Sequence, residues 1–204
     1  DVARREGDVV FGSFNELAKL TPDMIGVWSQ IMAACPGARL LLKAGALSCE
    51  GTAARVAARF EEVGVARDRL ILRGRTPDQF SHLETYNEVH IALDTFPYNG
   101  TTTTCEALWM GTPLVTLAGP VHASRVSASL LSAIGREEWV THRVEDYVAL
   151  AIALAENRDG CREASASLRG AMRDAPAFAA GRIARDVEGT IRGLWRDWCA
   201  RQES

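Results

Sequence analysis

Short apolar runs alternate with amphipathic stretches along the chain. Five of the runs are rich in Val, Leu, Ile and Phe and have the length of buried strands; they fall at residues 9–14, 39–43, 69–72, 89–93 and 114–117. A sixth, shorter run surrounds Trp139 and Val140. Strands that alternate with helices typically form β-α-β units, so this order predicts a parallel sheet.

The stretches between and after these runs carry apolar residues at helical spacing. They predict helices at about residues 21–35, 52–63, 77–86, 101–110, 123–134, 144–157, 160–173 and 179–200. Thr21 and Pro22 are typical of a helix start, and Gly64 and Gly111 are typical of helix ends. Because no internal repeat is present, we interpret residues 1–204 as one α/β domain with a Rossmann-like, doubly wound parallel sheet.

The composition is that of an ordinary globular protein, with 47% apolar and 24% charged residues among 204. The formal net charge of −3 gives no positive field that would attract nucleic acid or an anionic membrane. No apolar run reaches the ~18 residues that a membrane-spanning helix needs, and no signal peptide is visible. We therefore expect a soluble, cytoplasmic protein without nucleic-acid or membrane partners.

The five cysteines are scattered and form no C-x-x-C pair, which argues against a zinc site or a disulfide framework. We interpret them as reduced thiols, as is usual in the cytoplasm. The chain begins at Asp1 and enters a strand almost at once. We therefore expect it to be a piece of a longer protein, or one that has lost its leader.

Several motifs that identify other classes of protein are missing. The sequence contains no G-x-x-x-x-G-K-[ST] loop and no G-x-G-x-x-G turn, and it lacks G-x-S-x-G and H-E-x-x-H. ATPases, typical dehydrogenases, α/β-hydrolases and zincins are therefore not favoured.

The loop after the fourth predicted strand has the most unusual composition. Ligands of doubly wound sheets bind at the carboxyl ends of the strands, where this loop belongs. Four threonines, residues 101–104, follow Gly100 at a predicted helix start, where their hydroxyls and the free N–H groups are expected to face outward and to suit a phosphate. Glu106 is placed to accept hydrogen bonds from ribose hydroxyls. A well-capped helix with Glu106 complementing its dipole accounts for the same residues.

Three other loops add charge or an aromatic ring at the same expected edge. Lys19, after the first strand, can reach a diphosphate and stabilise the negative charge that develops on a departing nucleotide. Lys43 ends the second strand and could join that cationic rim. His82 follows the third strand, where an imidazole can stack on a base. Judged on local sequence alone, Lys19 and His82 are better explained as solvated surface groups.

Several separated segments resemble one family, the protein O-glycosyltransferases of the SPINDLY and O-GlcNAc transferase kind. The stretch LDTFPYNGTTTTCEALWMG at 93–111 is similar to their characteristic segment, and FNELAK at 14–19 resembles the F-N-x-L-x-K segment that opens their C-terminal catalytic lobe. Residues 115–119, 122–126 and 129–131 match the strand and helix that follow. The similarity covers nearly the whole chain in the right order.

The resemblance implies the C-terminal, donor-binding lobe of a GT-B enzyme. Such an enzyme is an inverting glycosyltransferase that moves a sugar from a nucleotide sugar to Ser or Thr of acceptor proteins, without a metal or other cofactor. Lys19 would be catalytic, as the cation on the leaving diphosphate. The residues implied to bind the nucleotide sugar are Asn15, Glu16, Lys43, Thr76, His82, Thr101, Thr102, Thr103 and Glu106. Of these, the threonines at 101–103 would hold the phosphates, Glu106 the ribose, and Thr76 and His82 the base.

The same resemblance implies partners outside this chain. An N-terminal catalytic lobe would pack against the predicted helix at about 179–200, and a helical repeat array would belong to the full-length protein.

Three positions depart from the O-GlcNAc transferases: Glu16 replaces Gln, Asp78 replaces Lys, and Thr101 replaces His. All three are closer to the SPINDLY proteins, whose plant members transfer fucose from GDP-fucose, whereas bacterial relatives are often named UDP-GlcNAc transferases. The donor is therefore left open between UDP-GlcNAc and GDP-fucose. Two alternatives stand beside the transferase: a non-catalytic nucleotide-binding or protein-interaction module, and a sugar-nucleotide epimerase whose acids and bases the sequence does not reveal.

Overall fold

A six-stranded parallel sheet is the centre of the structure, a computed structural model that describes residues 9–202. The strands are β1 (Val10–Ser13), β2 (Arg39–Lys43), β3 (Leu70–Arg73), β4 (Ile91–Leu93), β5 (Leu114–Leu117) and β6 (Val140–Thr141). They lie in the order β3-β2-β1-β4-β5-β6, and every neighbouring pair is parallel. The predicted α/β class with a Rossmann-like, doubly wound sheet is confirmed.

Eight α-helices alternate with or follow the strands in residues 9–202. They are α1 (Pro22–Ala34), α2 (Glu50–Glu61), α3 (Gln79–Glu84), α4 (Thr102–Trp109), α5 (Val126–Ala133), α6 (Val144–Glu156), α7 (Arg158–Asp174) and α8 (Ala180–Gln202). Each corresponds to a predicted helix. The predicted start of α5 was wrong, because a separate 3-10 turn at His122–Ser124 precedes it.

Local chemistry accounts for several helix ends. The Thr21 side chain accepts a hydrogen bond from the Met24 N–H and so caps α1. Asp78 caps α3 in the same way, which begins that helix at Gln79 rather than at the predicted residue 77. Gly111 follows α4 with φ +73°, a left-handed conformation that glycine adopts without steric cost.

Helices cover both faces of the sheet and bury two apolar clusters. On one face Trp28 of α1 packs with Tyr147 of α6, and the indole N–H donates to the phenolic oxygen at 3.2 Å. On the other face Leu108 of α4 and Leu168 of α7 are fully buried. With both faces covered, the strands read as continuous apolar runs, which is why the sequence shows them clearly.

Helix α8 differs from the other long helices because none of its residues is buried. Its large apolar side chains are exposed; they are Ile183, Val187, Ile191, Leu194, Trp195 and Trp198. No helix within residues 9–202 combines the length and the apolar character needed to cross a membrane. Residues 1–8 and 203–204 of the predicted domain lie outside the described residues.

Candidate functional site

The polar loops gather where the order of the strands reverses. β1 lies between β2 and β4, and the chain leaves both β1 and β4 at the carboxyl edge of the sheet. Crevices at this point of a doubly wound sheet are the usual ligand sites. Asn15 follows β1 and Asp94 follows β4, and the Asn15 Nδ2 donates to Asp94 Oδ1 at 3.3 Å.

The Asn15 side chain contacts both Lys19 and Thr103 of α4. The Lys19 ammonium donates to the Asn99 carbonyl at 2.8 Å and to Asn15 Oδ1 at 3.4 Å. The Thr103 hydroxyl donates to the same Asn15 oxygen at 3.1 Å. The ring of Tyr98 lies under the ammonium, 4.1 Å from nitrogen to ring centroid. The loop after β1 and the helix after β4 therefore do converge, as the sequence predicted.

The four threonines of residues 101–104 do not all face outward. Thr101 and Thr102 are exposed at the start of α4, and Thr103 points to Asn15. Thr104 is buried, with 1% of its surface exposed, and shares a hydrogen bond of 2.8 Å with the Ser127 hydroxyl of α5. The expectation that all four hydroxyls face a phosphate is thus wrong for Thr104, because its side of the helix packs on α5.

A second polar cluster lies between α3 and α4. Lys43 Nζ is 2.7 Å from His82 Nδ1, and His82 Nε2 is 2.9 Å from Glu106 Oε2. Because an ammonium has only donors, Nδ1 accepts from Lys43 and the N–H at Nε2 donates to Glu106. Thr76 joins the cluster through a 3.5 Å bond from Lys43, and Gln79 donates to the other Glu106 oxygen at 3.2 Å.

Tyr86 links the two clusters. Its hydroxyl lies 3.1 Å from Glu106 Oε2 and 3.2 Å from the Thr103 carbonyl, and its ring stacks on Phe14 with 3.8 Å between centroids. The His82 ring meets both Phe14 and Tyr86 edge-on. Burial raises the pKa of the Tyr86 hydroxyl, and neighbouring Glu106 adds to that shift, so this group remains a proton donor at neutral pH.

A cleft of about 310 Å³ opens beside the second cluster. Its walls include Glu16, Lys43, Thr76 and His82, together with Asp78. The volume is at the lower end of the range for small-molecule sites. Glu16 is exposed at the rim. Among residues 9–202, no three His, Cys, Asp or Glu side chains are grouped so that they could hold a metal ion.

Lys19 and Lys43 are the only lysines in the chain, although arginines are numerous. Burial lowers the pKa of both ammonium groups; Asp94 and Glu16 partly oppose the shift at Lys19, and Glu106 partly opposes it at Lys43. Lys43 is 6% exposed. The presence of only two lysines, both predicted at the same edge of the sheet, was a sequence signal for the site. The combined count of lysine and arginine hides it.

Asp94 also belongs to the candidate site, and sequence reasoning missed it. It is 1% exposed and accepts hydrogen bonds from the N–H groups of Thr95 and Gly100 at 2.9 and 2.7 Å, and from the Thr116 hydroxyl at 2.7 Å. Burial raises the pKa of its carboxyl, and these hydrogen bonds oppose the rise. A charged residue placed directly after an entirely apolar strand was the signal that could have found it.

Comparison with known proteins decides the family. A family model described as Glycosyl transferase family 41 matches residues 3–187, most of the chain. The chain belongs to glycosyltransferase family 41. The resemblance to SPINDLY and O-GlcNAc transferases is thereby confirmed.

Two named SPINDLY proteins are similar over nearly all of this chain. A probable UDP-N-acetylglucosamine--peptide N-acetylglucosaminyltransferase SPINDLY of Solanum lycopersicum is 39% identical over 197 residues, which are 97% of this chain and 21% of that protein. The SPINDLY protein of Arabidopsis thaliana, described in the same words, is 38% identical over 97% of this chain and 22% of its own length. The chain thus spans about a fifth of these relatives.

Solved structures share the fold of this chain. A mutant O-GlcNAc transferase of Thermobaculum terrenum superimposes with a TM-score of 0.88 at 37% identity, covering 96% of this chain and 37% of that one. Sucrose-phosphate synthase of Thermosynechococcus elongatus shares the fold, with a TM-score of 0.64 at 16% identity over 93% of this chain and 46% of its own. The fold is that of one lobe of a GT-B glycosyltransferase, as predicted.

Proposed function

We propose that this chain is the donor-binding lobe of an inverting glycosyltransferase that moves a sugar from a nucleotide sugar to Ser or Thr of acceptor proteins. The observation that carries the proposal is the convergence of Lys19 and Thr103 on the Asn15 oxygen, beside the cluster of Lys43, His82 and Glu106. The first group suits a diphosphate and the second suits a nucleoside.

Lys19 is the residue to which we assign catalysis. When the bond between sugar and diphosphate breaks, the negative charge on the leaving nucleotide increases, and a fixed cation beside it stabilises that charge. The free N–H groups at the start of α4 and the exposed hydroxyls of Thr101 and Thr102 complete the phosphate pocket. Burial leaves the Lys19 ammonium poorly solvated, which lowers its pKa and lets its charge act strongly on a bound anion.

The nucleoside part belongs in the cleft next to α3. Glu106 would accept hydrogen bonds from the ribose hydroxyls once His82 or Gln79 moves away from its carboxylate. His82 and Thr76 would border the base. Glu16 and Asp78 also line this cleft. Carboxylates accept hydrogen bonds, and guanine offers more donors than uracil on its base-pairing edge. Both donors, UDP-GlcNAc and GDP-fucose, therefore belong in the test.

The transferase that we propose needs further parts. The named relatives are about five times longer than this chain, which leaves room for an N-terminal lobe and a repeat array. The exposed apolar face of α8, including Leu194 and Trp195, is the surface that we assign to that lobe. We also propose a cytoplasmic setting and catalysis without a metal; all five cysteines are free thiols, in keeping with a reducing compartment.

The experiment has two stages. Titration calorimetry of the chain with UDP, GDP and their sugars measures donor binding, and a radiolabelled transfer assay with the full-length protein measures activity. We expect Lys19→Ala to reduce transfer by about 100-fold or more, the loss typical of a group that stabilises transition-state charge. Arg39→Ala is the matched control, because it removes an exposed cation at the opposite edge of the sheet.

The outcomes separate the proposal from its alternative. Nucleotide binding without transfer by the full-length protein would favour a non-catalytic binding module, for which the exposed face of α8 would be the partner surface. Unchanged transfer by Lys19→Ala would remove the mechanism.

A further inference from the structure

The Asn15 side chain lies between a buried carboxylate and the two groups assigned to the diphosphate. Its Nδ2 donates to Asp94 Oδ1 at 3.3 Å. Its Oδ1 accepts from Lys19 at 3.4 Å and from Thr103 at 3.1 Å. One end of the amide thus faces the interior, and the other faces the crevice.

Asp94 determines the orientation of the Asn15 side-chain amide. A carboxylate can only accept, and the oxygen of Asp94 nearest to Asn15 already receives the N–H groups of Thr95 and Gly100. Only the NH2 end of the Asn15 amide can face that oxygen favourably. The amide oxygen is therefore directed at Lys19, whose ammonium can only donate, and at Thr103. The opposite orientation would place two acceptors together inside and two donors together in the crevice.

We infer that Asn15, oriented by Asp94, is a positioning residue that fixes the Lys19 ammonium and the Thr103 hydroxyl relative to each other. This inference rests on the proposed function, because it assumes that the two groups bind a diphosphate. Asn15 was expected to bind the nucleotide sugar directly. Its polar atoms instead form hydrogen bonds with other side chains of this chain. Asn15 acts on the donor through Lys19 and Thr103, and Asp94 acts through Asn15.

The alternative is that Asn15 only stabilises the fold. Loss of stability cannot distinguish the two roles, but the position of Lys19 can. Because Lys19 and Lys43 are the only lysines, reductive methylation of the intact chain modifies two ε-amino groups, and mass spectrometry measures each separately. The ratio of their labelling rates reports Lys19 against an internal standard at the same site.

The experiment uses the 204-residue chain and three variants. Asn15→Ala removes the bridge, and Asn15→Asp places a carboxylate against Asp94. Asn157→Ala is the matched control: its side chain caps α7 at 3.0 Å from the Gly160 nitrogen, between α6 and α7. Titrations use UDP with uridine and GDP with guanosine, so that the diphosphate is the only difference within a pair.

We expect Asn15→Ala to raise the Lys19-to-Lys43 labelling ratio several-fold, because Lys19 loses one of its acceptors. Whichever of UDP and GDP binds the unaltered chain more tightly should bind this variant about tenfold more weakly. Binding of the matching nucleoside should not change. Asn15→Asp should lose more than Asn15→Ala, since two carboxylates then face each other. The control should match the unaltered chain in both measurements.

Two results would overturn the inference. One is an unchanged labelling ratio in a folded Asn15→Ala chain, and the other is an equal loss of nucleoside and diphosphate affinity. Failure of the proposed function looks different: neither UDP nor GDP would bind the unaltered chain, while the labelling ratio would still decide whether Asn15 holds Lys19.

Discussion

Gly100 lies two residues before α4, where three side chains crowd against its backbone. A Cβ atom added there would lie 2.5 Å from the Thr103 hydroxyl oxygen, 2.7 Å from that of Thr104 and 3.2 Å from Asn15 Oδ1. Ordinary contact begins at 3.4 Å, so in Gly100→Ala the Thr103 oxygen must retreat by about 0.9 Å. We expect this substitution to damage both the fold and the phosphate pocket.

The magnitude follows from what must move. Threonine side chains are stiff at χ1, so the hydroxyls cannot simply rotate away without leaving a preferred rotamer. The shift breaks the 3.1 Å bond from Thr103 to Asn15 and strains the 2.8 Å bond between Thr104 and Ser127. Overpacking costs about 1–3 kcal/mol and each lost hydrogen bond about 1 kcal/mol. We therefore expect the free energy of unfolding to fall by about 2–4 kcal/mol.

Urea unfolding followed by tryptophan fluorescence measures the loss, and calorimetry with UDP or GDP measures the pocket. Gly26→Ala is the matched control, because it adds the same methyl group within α1, where nothing lies within 4 Å. That control should gain about 0.5–1 kcal/mol from helix propensity. If Gly100→Ala unfolded at the same urea concentration as the unaltered chain, the crowding argument would be refuted.

Tyr86→Phe keeps the ring stacked on Phe14 but removes the hydroxyl beside Glu106, so urea unfolding should show a loss of about 0.5–1.5 kcal/mol; a gain in stability would contradict the role of that hydrogen bond. For Lys19, burial lowers the folded-state pKa below 10.5, and the unfolded chain therefore binds more protons just below that pH. The free energy of unfolding should rise with pH in that window, and Lys19→Met should reduce the rise. Affinity for UDP or GDP, measured by calorimetry, should fall as the ammonium deprotonates. An affinity that does not change with pH would count against a buried ammonium at the site. Trp195→Ser, on the exposed face of α8, should change the unfolding free energy of this chain by less than about 0.5 kcal/mol, and a larger loss would show that α8 packs on the body.

Much of the architecture could be predicted from local patterns. The buried parallel strands appear as short apolar runs because both of their faces are covered, and the alternation with helices predicts their parallel direction. Local caps such as Thr21 and Gly111 placed helix ends within a residue or two. The rule that loops gather at the carboxyl edge then placed Lys19 and His82 on the same side of the molecule.

The interior-facing half of the site could not be predicted in this way. Successive residues of a helix point about 100° apart, so the threonines that begin α4 cannot all face the same side of the helix. Which one does so depends on the packing of α4 against α5, where Thr104 meets Ser127. Tyr86 was predicted as a helix end, and only its approach to Glu106 gives it a place in the site.

The sequence by itself determined the order of strands and helices and the edge of the sheet at which the charged and hydroxyl groups collect, because both depend on periodicity and on contacts between near neighbours in the chain. The tertiary structure decided which of those groups touch. Asn15 and Asp94 are separated by 78 intervening positions, and each follows a strand that pairs with the other only in the folded sheet. Their hydrogen bond, and the orientation that it gives to the groups around Lys19, exist because β1 and β4 lie side by side.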